Sequence, residues 1–139
     1  LAMNTTRLAL ALIALNGLTA LGFGVFGLAD PQGIADAVSL EPQNAFGFSE
    51  IRALYGGMWT AMGLLLLGSL RSLASAPQGA HAERVRTIGL CWVGLPLGRG
   101  LGAVLQGTDG GPAMGYLLAE VAMIATLLGG LTLLRRARS

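Results

Sequence analysis

Three ionisable side chains stand where they are most costly: Arg52, Arg99 and Glu120 lie inside or at the edge of long apolar runs. A charge at membrane depth is expensive unless it faces a counter-charge, a polar cavity or a ligand, so these residues are the first candidates for chemistry. Arg99 lies seven residues before Gln106, and Glu120 eight residues after Pro112. At about 1.5 Å of helical rise per residue, both fall roughly 10 to 12 Å inside the same membrane boundary. Matching depth on two helices joined by a short turn predicts an ion pair. Such a pair either fixes helix register or shapes a polar site. A carboxylate held ionised by a guanidinium is a poor proton donor, which argues against acid–base catalysis by Glu120.

Helical spacing adds neighbours. Trp92, Pro96, Arg99, Ala103 and Gln106 share one face of a third helix, and Tyr116, Glu120, Met123 and Leu127 share a face of a fourth. Arg52, Gly56, Trp59 and Gly63 line a face of a second helix, with Tyr55 alongside. Converging faces would make an outward pocket with two arginines, one glutamate and aromatic walls. Tyrosine and tryptophan at a membrane interface also serve as plain anchors, and Asn16 midway along the first helix reads as interhelical hydrogen-bonding glue. The sequence carries no His/Cys/Glu metal cluster, no C-x-x-C pair, no phosphate-binding glycine loop and no Ser-His-Asp set. The expectation is a protein that is not an enzyme and uses neither a metal nor a cofactor.

The elements that must carry these residues follow from composition. The chain has 139 residues, 53% hydrophobic and 12% charged, far below the charged share of a soluble domain, which is about a quarter. Its 22 glycines fall mostly within the apolar segments, as in membrane helices whose backbones approach closely. Basic charge comes from arginine alone and forms no cluster that would suggest nucleic acid. The single Cys91 permits no internal disulfide.

Four spans are expected, at about residues 8–29, 49–70, 85–106 and 113–134, each of the roughly twenty apolar residues that a bilayer requires, within a single integral membrane domain, 1–139. Arg7 before an apolar run also suits a signal peptide, but the run is too long for one. Asp30-Pro31 reads as an N-cap and first turn, followed by Ile34, Ala35 and Val38 at helical spacing. A short interfacial helix in the first outward loop follows. Ser49 is read as the N-cap of the second span, with Glu50 well placed against the helix dipole and Arg52 badly placed. An acidic neighbour or an anionic ligand is therefore expected to hold Arg52. Gly94, Gly98 and Gly102 form small-x-x-x-small steps on the third helix, and Ala20 with Gly24 forms a weaker one on the first. Close helix contact is expected at both, inside the bundle or between copies. Arg7, Arg71, Arg84, Arg86 and the C-terminal arginines mark one side, and Asp30, Asp36, Glu41 and Asp109 the other. The positive-inside rule then places both termini in the cytoplasm.

The stretch Phe48-Ser49-Glu50-Ile51-Arg52-Ala53-Leu54-Tyr55-Gly56-Gly57, with Gly98-Arg99 and Asp109-Gly110-Gly111-Pro112, resembles a widespread bacterial family of four-helix membrane proteins catalogued as a domain of unknown function. The resemblance covers nearly the whole chain. It implies an all-α, four-transmembrane-helix bundle in the bacterial inner membrane. It also implies that Glu50, Arg52, Tyr55, Arg99 and Asp109 belong to the family's pattern, and it brings no activity with it. Two functions compete. The first is a non-catalytic accessory subunit that packs on a larger membrane complex or on another copy of itself, with membrane lipids around it. The second is a protein that binds or transports an amphipathic ligand, a lipid or quinone, in an outward pocket lined by Arg52, Arg99 and Glu120.

Overall fold

A computed structural model describes residues 2–107 and 112–137, and all regular structure among them is helical. Helix α1 covers Ala2–Ala29, α2 Pro31–Ala37, α3 Ala45–Ile51, α4 Trp59–Ser75, α5 Ala80–Gln106 and α6 Pro112–Arg136. A π-helix, Arg52–Met58, carries α3 into α4 without a break. Four stretches are long and apolar enough to cross a membrane: Asn4–Ala29, Ala45–Ser75, Ala80–Leu105 and Met114–Arg136. The fold is thus the all-α, four-span class expected, with the short α2 in the first loop. The turn read at 108–111, which contains Asp109, lies outside the described residues.

Local chemistry sets both ends of α2. Asp30 Oδ1 accepts from the Gly33 N–H at 2.9 Å, and Pro31 fills the first helical position of α2, where its missing N–H is no loss. At the other end of α2, the Leu40 N–H donates to the Ala35 carbonyl at 2.8 Å and the Ser39 N–H to the Asp36 carbonyl at 3.3 Å. This is a Schellman closure, with Ser39 left-handed at φ 57° where glycine is usual.

The start of the second span differs from the sequence reading. Asn44 is its cap, accepting from the Gly47 N–H at 3.1 Å. Asparagine caps at least as well as serine, and it comes first along the chain after Pro42. The helix therefore starts about a turn before Ser49, and Arg52 opens the π-helix rather than a first turn.

Contacts divide the chain into a central unit, Ala14–Gly68, and a terminal unit formed by Leu1–Ile13 with Ser69–Ser139. In the central unit, Ile34, Ala35 and Ile51 are buried, with Phe23, Val38 and Tyr55 packed on them. Phe23 meets Trp59 edge-on at 5.2 Å and Tyr55 at 6.4 Å between ring centroids. Here α1 and the second span run so close that glycine is required. A methyl on Gly24 would fall on the Thr60 backbone nitrogen, and one on Gly63 would lie 2.5 Å from the Leu21 nitrogen. The small-residue step on α1 thus marks a real helix contact.

In the terminal unit, Val85, Ile88 and Trp92 of α5 and Leu127, Leu131 and Leu134 of α6 are buried, at the three- and four-residue spacing of packed helix faces. Gly130 receives the first turns of α1, with the Ala9 carbonyl 3.1 Å from where a methyl would stand. Arg135 joins Glu83 at 2.9 Å and ties the end of α6 to the start of α5.

Gly24→Ala should lower the stability of the detergent-solubilised protein by about 1 to 3 kcal/mol, because a backbone atom cannot move aside as a side chain can. Gly22→Ala on the same helix, which meets nothing within 4 Å, should be neutral or slightly stabilising. Thermal unfolding followed by circular dichroism reads both.

Candidate functional site

The terminal unit contains the expected ion pair. Arg99 Nε donates to Glu120 Oε1 at 2.7 Å, with the arginine side chain 35% and the glutamate 11% exposed. The guanidinium carbon lies 5.1 Å from the centre of the Tyr116 ring, close enough for a cation–π contribution on a second side. Tyr116, one turn before Glu120 on α6, thus meets the same arginine as the glutamate does. One carboxylate oxygen remains unserved: Glu120 Oε2 is buried and has no hydrogen-bond donor among the described residues. A carboxylate this shielded depends on its arginine, since without the cation it would be a buried, uncompensated charge.

Beyond the pair, the same helices present an open apolar surface. Leu97, Leu101, Val104 and Leu105 of α5 are 60% to 82% exposed. Gly94 and Gly98 have nothing within 4 Å of where a methyl would stand. Within the described part of the terminal unit, no close contact is made at Gly94 or Gly98.

The central unit holds the other candidates. The later part of the Phe48–Gly57 stretch, from Arg52 onward, lies in the π-helix, a rare geometry that recurs at functional positions. Gly56 lies against Leu28, where a methyl would be 2.9 Å from the Leu28 nitrogen, and a methyl on Gly27 would be 3.0 Å from the Tyr55 carbonyl. The last turn of α1 thus rests on the π-helix. That contact supplies the partner of Arg52, whose Nε donates to the Leu28 carbonyl at 3.3 Å. Among the described residues no carboxylate lies within ion-pair distance of Arg52. The expected acidic neighbour is replaced by the negative end of a helix, where free carbonyls and the macrodipole favour a cation.

Beside the π-helix is a cavity of about 270 Å³. Leu40, Pro42, Ile51 and Leu54 form its apolar walls, and Glu41, Glu50 and Tyr55 also line it. Of the residues singled out in the sequence, the structure brings Glu50 and Tyr55 together here and joins Arg99 to Glu120 in the terminal unit. Arg52 borders the first group without lining the cavity. Leu40, Glu41 and Pro42 were missed; the only sequence signal for them was their position just before the cap of the second span.

The pair lends itself to a direct test. Arg99→Met alone should cost about 2 kcal/mol, less than a fully buried pair because the arginine is partly exposed. Arg99→Met combined with Glu120→Leu should recover most of that loss. Unfolding of the single and double variants, compared as a cycle, measures it.

A family model described as a domain of unknown function, DUF4345, matches residues 8–131. The chain belongs to that family. No curated protein and no solved structure matches it.

Proposed function

We propose that this member of the DUF4345 family is a non-catalytic accessory subunit of the bacterial inner membrane, packing through its third span on a larger membrane complex or on another copy of itself. The observation that carries this reading is the outer part of α5. Its large apolar side chains are exposed, and between them Gly94 and Gly98 leave a shallow, unfilled track. Lipid tails gain little from such a track, whereas a second helix gains close backbone packing. The surrounding chemistry agrees. Two of the arginines within the spans are met by the chain itself: Arg52 by an α1 carbonyl, Arg99 by its glutamate. Arg7, Arg71, Arg84, Arg86, Arg135 and Arg136 gather at one set of helix ends, which supports cytoplasmic termini.

A second reading, binding of an amphipathic lipid or quinone, draws support from Glu120 Oε2, which is buried and lacks a donor. A ligand hydroxyl or ammonium beside the Arg99 pair would supply one. Under the subunit reading, conservative variants at the pair change stability and leave the bound-lipid profile alone.

Gly94→Leu with Gly98→Leu fills the track while keeping the helix apolar. In mild-detergent extracts of the native membrane, the wild-type chain should run in a particle larger than its own mass. The double variant should run as the lone chain with unchanged helical content. A wild-type chain that already runs alone, or a variant that keeps the large particle, contradicts the proposal.

A further inference from the structure

The central unit contains four carboxylates and a single guanidinium: Asp30, Asp36, Glu41, Glu50 and Arg52. Three of the five have partners. Asp30 caps α2 through the Gly33 N–H, Asp36 accepts from Gln32 Nε2 at 2.6 Å, and Arg52 donates to the Leu28 carbonyl. Glu41 and Glu50 are exposed, and no cation among the described residues pairs with either. Both line the same cavity, whose other walls are Leu40, Pro42, Ile51, Leu54 and Tyr55.

Unpaired negative charge and apolar wall therefore meet at one concave place, and no arginine lines it. We propose that this cavity binds an amphiphilic organic cation, an ammonium group bearing a short apolar arm. The two glutamates would face the ammonium, while Leu40 and Leu54, 42% and 51% exposed, would take the arm out of water. The Tyr55 ring offers a further surface for a diffuse cation. A hard metal ion does not fit, because calcium asks for about six to eight oxygen ligands and apolar side chains make up most of this wall. An anionic head group is opposed by both carboxylates. At about 270 Å³ the cavity lies just under the range typical of ligand pockets, which limits the occupant to a small head group with a few methylenes. The site lies outside the terminal unit, so it stands or falls separately from the subunit reading.

The test is ligand-observed NMR on the purified full chain in a non-ionic detergent, with empty micelles as blank. The probes are hexyltrimethylammonium, 1-hexanol and hexyl sulfate, which share an arm and differ in charge. The expected result is saturable binding of the ammonium at least tenfold tighter than of either other probe. Glu41→Gln with Glu50→Gln should abolish at least tenfold of that affinity while leaving the circular dichroism spectrum unchanged. Repeating the titration in bilayer discs with and without phosphatidylethanolamine distinguishes the sources. Displacement of the probe by that lipid assigns the cation to a membrane head group, and undiminished binding assigns it to a soluble amine. The proposal is overturned if the wild-type chain shows no saturable ammonium binding, if the three probes bind alike, or if the double variant binds as the wild type does. The probe ranking needs only the wild-type chain, so it decides the matter even without the variant.

Discussion

The distance between two backbones in the central unit governs much of what surrounds it. Where α1 crosses the second span, Gly24, Gly27, Gly56 and Gly63 allow an approach that no side chain would permit. Apolar attraction between helices is weak in lipid, and close van der Waals packing takes its place. The consequences spread along the chain. Because the last turn of α1 rests on the π-helix, its C-terminal carbonyls come within reach of Arg52, and Phe23 reaches both Tyr55 and Trp59. The cavity beside Glu50 and Tyr55 is formed by α3, the π-helix and the loop that follows α2.

The terminal unit solves a different problem. Its buried residues cluster toward the ends that carry the arginines, from Val85 to Trp92 and from Leu127 to Leu134. The Arg99–Glu120 pair stands further along the same two helices, where less protein covers them. The pair holds α5 and α6 together where apolar burial is sparse. Its cation and anion answer each other, which ties the glutamate to the joining of the two helices. Beyond it lies the apolar, glycine-marked surface of α5.

The parts of this fold that depend on composition and periodicity were legible in the sequence, because a membrane leaves few alternatives to helices that satisfy their own backbones. The four spans, the Asp30-Pro31 start of α2 and the pairing of Arg99 with Glu120 belong to this group. Features that depend on which of two similar residues wins, or on a neighbour distant in sequence, were not legible. Ser49 and Asn44 are both good caps, and only the fold shows that the earlier one acts. The π-helix has no composition that sets Arg52–Met58 apart from an α-helix. The partner of Arg52 is a carbonyl twenty-four residues earlier, and a carbonyl leaves no mark in a sequence. The cavity was hidden for the same reason, since Glu41 reads as a loop carboxylate until the structure sets it beside Glu50. The small-x-x-x-small pattern was legible as contact but not as to partner: on α1 Gly24 meets the second span, whereas on α5 Gly94 and Gly98 meet nothing among the described residues of the terminal unit.

The central claim is that this chain's exposed helix face serves another protein rather than a reaction. Native mass spectrometry of the untagged protein, released from its own membranes in a mild detergent, tests it most directly. The expected result is a stoichiometric complex with a larger membrane protein or with further copies of the chain. A lone chain carrying one specific lipid or quinone would contradict it.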